Sequence, residues 1–420
     1  MADASGSASW LYDSRGRLVK ETKTISGQSF VTEWGYNSAD LPTWMKYPDG
    51  EIVTNTYDNS MLLKSVDGND TYVFYTQYDS AGRMTSRELG NGITQAYEYY
   101  PWNQQGGRLK TLAAETLQNM TYIYDSVGNI SSISDSVNSL TQSFGYDALD
   151  RLTSASASGT PAQGAYSETY QYDPVTGNLK IKGDMTLDYL DSSHVHAVTN
   201  ANSNTYSYDS NGNQTTRNIG SDTFNLYYDA ENRLVEVKKN GATIAQFTFD
   251  GDGKRVKSVV NGETILFVGS HFELEGSQAT KYYFAGASRI AIRKYTVPQS
   301  MTVEYMLGDH LGSTSITTDN LGAMISEIRY KAWGETRYTW TNAPVTTPTY
   351  ELTRYQYTGQ YSYDAEFGLK FYNARFYDSG IGRFVSADTV VPGGAQGYDR
   401  YAYANNSPVV YNDPSGAFEK

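Results

Sequence analysis

The chain contains no cysteine. Disulfides, a thiol nucleophile and thiolate metal ligation are thereby excluded, and redox chemistry leaves the compartment undetermined. Charged residues make up only 19%, yet no run of about eighteen apolar residues occurs, so no segment reads as a membrane-spanning helix. The opening stretch, Met1-Ala2-Asp3-Ala4-Ser5-Gly6-Ser7, has neither a basic nor an apolar region, and no signal peptide is expected there. Basic residues are outnumbered 33 to 46 for a net charge of -13, and the pI is about 4.8. That balance argues against nucleic acid or another polyanion as a partner. Glycine-rich nucleotide loops, His-Glu-x-x-His and Gly-x-Ser-x-Gly are missing too, so a free-standing enzyme is disfavoured and no cofactor is expected.

What the chain has in excess is tyrosine, 38 residues beside 38 glycines. Tyrosine suits pleated, half-buried surfaces where the ring packs and the hydroxyl stays wet or bonded. The tyrosines recur in register. Tyr12-Asp13-Ser14-Arg15-Gly16-Arg17-Leu18 returns at Tyr78-Asp79, Tyr124-Asp125, Tyr208-Asp209 and Tyr228-Asp229, with degenerate copies from Tyr36, Tyr57, Tyr146, Tyr172 and Phe249. Steps are 21 residues from Tyr36 to Tyr57 to Tyr78, 22 from Tyr124 to Tyr146, and 20 then 21 from Tyr208 to Tyr228 to Phe249. A period of that length without helical patterning means one β-hairpin per repeat.

Three residues after the Asp stands Gly16, Gly82, Gly128, Gly212 or Gly253, and elsewhere Asn232 or Asp150. These residue types best tolerate positive φ, so the position is expected to close the turn in a left-handed conformation. The Asp is expected to accept bonds from the turn's amides. Gly92 reads as lying outside this register. Such hairpins cannot bury a face singly and must stack.

Two stretches break the rhythm. Ser154 to Ala165 reads as a surface loop. The step lengthens from Asp184 to Asn204, where His194 and His196 are better read as part of an exposed strand than as metal ligands, and no metal site is expected. Thr341 to Pro348 reads as a further loop. Asp309-His310 could be half of a catalytic triad, but without a nucleophile motif it reads as a turn held by side-chain bonds.

From Tyr305 the pieces change: Gly308-Asp309-His310-Leu311-Gly312-Ser313, Tyr357-Thr358-Gly359-Gln360, Gly368 to Asp378, Gly382-Arg383-Phe384, Asn405-Asn406-Ser407-Pro408 and Asp413-Pro414-Ser415-Gly416. In this order they resemble the core domain that closes Rhs and YD-repeat proteins, the β-shells of bacterial toxins and relatives of the teneurins. The resemblance implies an all-β fold of stacked antiparallel β-hairpin repeats, wound as a spiral or hollow shell and closed by a β-rich core domain. The expected division is repeats over 1–300, core over 301–416 and a remnant of a variable region over 417–420.

In toxin-type members the core resembles a self-cleaving aspartyl protease that releases a C-terminal cargo into the shell. Carried onto this sequence, that implies Asp388 and Asp413 as the carboxylate pair, Arg383 as their electrostatic partner, and cleavage around Gly416, Ala417 and Phe418. The chain departs from the family pattern at Thr389, at Asp399-Arg400-Tyr401 and at Ala417. The alternative is that Asp388 caps a loop and Asp413 starts an Asp-Pro turn, both structural. Implied partners are a toxin cargo and secretion or delivery machinery, in a secreted or cell-surface setting. A rival reading is an adhesion or carbohydrate-binding module that uses exposed Tyr and Trp as stacking platforms.

Overall fold

A computed structural model describes residues 1–295, 303–342, 352–389 and 398–417. Of the sequence's expectations, the loop over Thr341 to Pro348, apart from its first two residues, the boundary at 300/301 and the cleavage-region residue Phe418 lie outside the described residues.

Each repeat is a hairpin, and its turn shows why the Tyr-Asp register exists. At the first copy the Gly16 amide donates to the Asp13 carbonyl at 3.0 Å and the Asp13 amide to the Arg17 carbonyl at 3.0 Å. This is a type I turn followed by a left-handed residue and a bulge, a hairpin connection suited to the twist of the flanking strands. The left-handed position is occupied as expected, with φ of 76° at Gly16, 77° at Gly82, 60° at Asp150 and 61° at Asn232. Asp13 Oδ1 accepts from the amides of Arg15 at 2.9 Å and Arg17 at 3.0 Å. The same pair of bonds recurs at Asp79, Asp147, Asp209, Asp229 and Asp309.

Gly92 requires a correction. Its φ is 85°, and its amide donates to the Leu89 carbonyl at 3.0 Å while the Leu89 amide donates to Ile93. The same turn forms there with Leu89 in the place of Asp.

The tyrosines link one hairpin to the next. The hydroxyl of Tyr36 donates to the carbonyl of Leu18 at 2.8 Å, Tyr78 to Leu63 at 2.7 Å, Tyr99 to Met84 at 2.8 Å, Tyr124 to Leu109 at 2.8 Å and Tyr146 to Ile130 at 3.0 Å. Each acceptor opens the strand after the preceding turn. The phenol therefore satisfies a carbonyl while its ring covers the seam between repeats. Arg17, Arg83 and Arg151, each four residues after its Asp, hold that Asp and lie 5.0, 4.3 and 4.1 Å from the ring of the next tyrosine.

Consecutive strands pair antiparallel throughout, from Ala2–Asp3 to Thr336–Thr341, as one 33-stranded sheet. Ser154 to Ala157, expected in a loop, lies in the strand Leu152–Ala157, where Ser154 pairs with Thr169. The sheet winds over itself. Contacts between its earlier and later parts span 248 residues for Asp3 with Gly251, 239 for Thr32 with His271, 227 for Asn91 with Thr318, 190 for Gln118 with Gly308 and 153 for Lys182 with Glu335. The separation shrinks along the chain, so the spiral tightens toward its C-terminal end.

A second, four-stranded sheet runs from Tyr361–Tyr363 to Arg383–Phe384. It packs against the wound sheet on two sides. Tyr372, Tyr377 and Phe384 join Tyr122, Phe144 and Tyr170 in one core, while Leu369, Phe371 and Phe376 join Phe224, Leu226 and Phe247 in another. The C-terminal segment is therefore enclosed by the tightened turn, which fixes where the functional residues sit.

Two expected results follow from these contacts. Gly82 has open space around it, with Leu62 Cδ1 at 4.0 Å from an added Cβ, so substitution there tests backbone strain alone. Gly82→Val should lower thermal stability by about 1–2 kcal/mol, whereas Gly82→Asn should cost a fraction of that. Equal losses in denaturant titrations would refute the left-handed turn.

The second concerns His271, buried between two turns of the spiral with its Nε2 3.2 Å from Thr32 Oγ1. Burial, reinforced by Lys23, pushes its pKa down to about 3. The unfolded chain binds this proton from about pH 6.5 downward and the folded chain does not, so stability falls as pH drops from 6.5 toward 3, by up to about 1.4 kcal/mol per unit. His271→Gln should flatten that slope of melting temperature against pH. An unchanged slope would assign acid lability to other groups.

Candidate functional site

Ala374-Arg375-Phe376 carries the residue around which the site is built. Arg375 lies in the strand Arg375–Asp378, whose four residues are all buried. Its guanidinium carbon stands 3.8 Å from the centre of the Phe384 ring. Nη1 donates to the Arg400 carbonyl at 2.9 Å. Nη2 meets Asp388 Oδ2 at 2.7 Å and lies 3.6 Å from Asp413 Oδ2. Nε donates to the carbonyl of Gly416. One planar cation thus touches both carboxylates and the peptide carbonyl between Gly416 and Ala417.

Each carboxylate is anchored by its own loop. The backbone around Asp388 is tied to Arg400, with the Asp388 amide donating to the Arg400 carbonyl at 2.9 Å and Arg400 Nε donating back at 2.6 Å. Asp413 Oδ1 accepts from the Gly416 amide at 2.8 Å and the Ser415 amide at 3.1 Å, closing the Asp-Pro-Ser-Gly turn. Its Oδ2 remains on the side of Arg375. Gly416 has φ of 72°, and a Cβ there would stand 2.0 Å from the Tyr372 carbonyl oxygen. Only glycine brings the chain this close, and the close approach seats its carbonyl on Arg375. A cleft of about 600 Å³ opens beside Asp388, Arg375, Gly416 and Ala417.

Arg383, which the family resemblance implies as the cation for the two aspartates, sits elsewhere. It is buried, donates to Asn406 Oδ1 at 2.8 Å and to the Gly382 carbonyl at 3.1 Å, and lies 3.6 Å from Asp399. The place expected for it is taken by Arg375, which sequence reasoning missed. A signal was available: Arg375 lies among apolar and aromatic residues in Phe371 to Tyr377, where a buried cation is stabilised by carboxylates, and Asp388 and Asp413 were the acids already singled out.

The histidines are engaged in local structure. They lie in a loop, not a strand, where His194 Nδ1 is 2.9 Å from Asp191 Oδ2 and His196 Nδ1 is 2.6 Å from Asn178 Oδ1. No cluster of metal-ligating side chains occurs among the described residues. Asp309 forms the repeat-type turn, and His310 Nε2 is 2.9 Å from the Val409 carbonyl.

The teneurin YD-shell family profile matches residues 108–409. The chain belongs to that family. Among curated relatives, this YD-shell chain is 24% identical to double-stranded DNA deaminase toxin A of Burkholderia cenocepacia, over 96% of its own length and 30% of the relative's. It is 24% identical to toxin protein Tse5 of Pseudomonas aeruginosa, over 97% of its length and 36% of the relative's. To tRNA nuclease WapA of Bacillus subtilis it is 29% identical, over 53% and 9% respectively. The chain therefore spans less than half of each of these relatives. Its fold matches the crystal structure of TcdB2-TccC3-TEV with a TM-score of 0.80 at 19% identity, over 99% of this chain and 24% of that one. The wound sheet thus has the fold of that β-shell. No helix among the described residues is long and apolar enough to cross a membrane.

Proposed function

We propose that this chain is the closing part of a toxin shell that holds a C-terminal cargo and frees it by cutting its own backbone at the Gly416–Ala417 bond. The observation that carries the reading is the convergence of Asp388, Asp413 and the Gly416 carbonyl on Arg375. Hydrolysis by two carboxylates needs one to take a proton from water and the other to give a proton to the departing amide nitrogen. Water adds to the Gly416 carbonyl carbon, the bond to the Ala417 nitrogen breaks, and that nitrogen leaves with a proton. Arg375 Nε, already on the carbonyl oxygen, offsets the negative charge that grows there.

The division into repeats over 1–300, a closing core over 301–416 and the start of a variable region from 417 is a functional proposal within this reading. A secreted or surface setting and a delivery partner belong to it as well. Both are supported by toxin relatives that are longer than this chain.

The test is a folded reporter joined after Lys420. The wild-type fusion should separate into shell and reporter, with a new amino terminus at Ala417 or within a residue of it by mass spectrometry. A folded fusion that stays whole retires the cleavage reading and leaves the shell standing.

A further inference from the structure

A second cleft, of about 450 Å³, adjoins the first and shares Lys254 and Asn373 with it. In a chain of net charge -13, this cleft is lined by Lys23, Lys254, Arg255 and Arg289, and by no carboxylate among the described residues. Its walls include Phe267, Tyr355, Tyr361 and Phe371. The Arg255 guanidinium carbon lies 4.0 Å from the Phe267 ring centre and 4.4 Å from that of Phe371, and Arg289 lies 3.5 Å from that of Tyr355.

The repeat arginines Arg17, Arg83, Arg151 and Arg233 each hold an aspartate. The polar partners of Arg255 and Arg289 are instead the Tyr363 hydroxyl and the Gly359 carbonyl. Their Nε atoms are buried without a hydrogen-bond partner among the described residues. The neighbouring Glu273 carboxyl is taken up by the hydroxyls of Tyr355 at 2.8 Å and Tyr282 at 3.0 Å, and burial holds its pKa above the usual range. Stacking fixes each guanidinium flat, and its N–H edge then matches a carboxylate in two-point fashion.

We infer that this cleft docks an extended peptide carrying carboxylates, and that the peptide is the polypeptide attached on the C-terminal side of the Gly416–Ala417 bond. Lys23 is already held by Glu21 at 3.7 Å and Asp250 at 3.8 Å, but Lys254, Arg255 and Arg289, spaced along aromatic walls, still exceed what one small oxyanion occupies. The shared residues Lys254 and Asn373 make the cleft continuous with the one that receives Ala417. The identity of the occupant rests on the reading of the adjoining site as a cleavage centre; the cleft's preference for acidic peptide does not.

The probe is a fluorescein-labelled hexapeptide of alternating glutamate and phenylalanine, titrated against the full chain and followed by anisotropy. A lysine-phenylalanine hexapeptide and sodium sulfate serve as comparators. The acidic peptide should bind saturably and weaken steeply between about 0.05 and 0.5 M salt. Binding should fall about tenfold in Arg289→Gln and in Lys254→Glu. Lys254 is exposed, so its variant keeps the test valid if Arg289→Gln fails to fold. Equal binding to wild type and Lys254→Glu, equal binding of the basic peptide, or displacement by micromolar sulfate would each overturn the inference. An uncut reporter fusion with intact, Lys254-dependent peptide binding removes the cleavage reading and the occupant's identity while keeping the acidic-peptide cleft. A cut fusion with no peptide binding overturns the cleft and its occupant while keeping the cleavage reading.

Discussion

Asp413→Asn and Asp388→Asn are each expected to leave the reporter fusion whole under conditions in which the wild-type fusion is fully cut. Asn at 413 keeps an oxygen to accept the Ser415 and Gly416 amides, so the Asp-Pro-Ser-Gly turn that seats the scissile carbonyl should survive. What it removes is the ionisable oxygen near Arg375. Positioned acid–base catalysis contributes roughly 100- to 10,000-fold, and either variant should lose at least the lower figure. The structural alternative, in which both aspartates only hold turns, predicts no cut in any form and a change in melting temperature alone.

Arg375→Lys separates charge from geometry. It retains a cation for the two carboxylates but gives up the fork that also reaches the Gly416 and Arg400 carbonyls. Cleavage should slow by about 100-fold, the scale seen when one donor to a developing oxyanion is removed. Arg383→Lys, by contrast, perturbs a cation held by Asp399 and Asn406. A slower cut in Arg383→Lys at unchanged stability, with Arg375→Lys at the wild-type rate, would reverse the assignment of the two arginines.

The turn register was legible because its causes are local. An Asp that accepts its own turn's amides, and a Gly, Asn or Asp three residues later that adopts positive φ, both act within five residues. Gly92 shows the limit of that rule. Leu89 offers no side-chain acceptor, yet the backbone makes the same turn because Gly92 alone supplies the left-handed position. The spiral was less legible. Asp3 meets Gly251 and Asn91 meets Thr318 across more than 220 residues, and no local pattern encodes a partner at that distance. Its winding entered through the resemblance to known shells. At the site, the motif resemblance named Asp388 and Asp413, and the structure places both beside Arg375, with Arg383 beside Asp399 instead. Arg375 and Arg383 are both buried and each is followed by a phenylalanine in the sequence. Which one reaches Asp388 depends on strand pairing within the small sheet, where Tyr372 opposes Arg375 and Asp378 opposes Arg383.

Lys281→Met is expected to destabilise the shell more than any surface change, by about 3–5 kcal/mol. Lys281 is fully buried between two turns of the spiral and pairs with Glu51 and, at 2.7 Å, with Asp49. Glu51 also accepts from the hydroxyls of Tyr72 at 2.6 Å and Tyr283 at 2.9 Å and from the Asn69 amide at 2.9 Å. The Tyr72 and Tyr283 rings stack with centroids 3.6 Å apart. Burial alone would raise the Glu51 pKa, but the bonds from Lys281, Tyr72 and Asn69 outweigh it and hold it below the usual value. A carboxyl lowered in this way contributes stability that is present above its unfolded pKa and lost as pH falls through the folded one.

Met keeps the length of the lysine stem but leaves a buried carboxylate without its cation. The variant should therefore recover part of its stability as acid neutralises Glu51, the opposite of the wild-type trend in the same range. Lys281→Met combined with Glu51→Gln should regain more than half of the loss, because removing both charges spares the cost of burying one alone. Denaturant midpoints for the two single variants and the double variant close the cycle. Additive losses would mean that the two turns are held by packing, with the ion pair incidental. A coupling of 2 kcal/mol or more, on the order found for buried pairs, would identify this contact as the fastening between the first turn and the second.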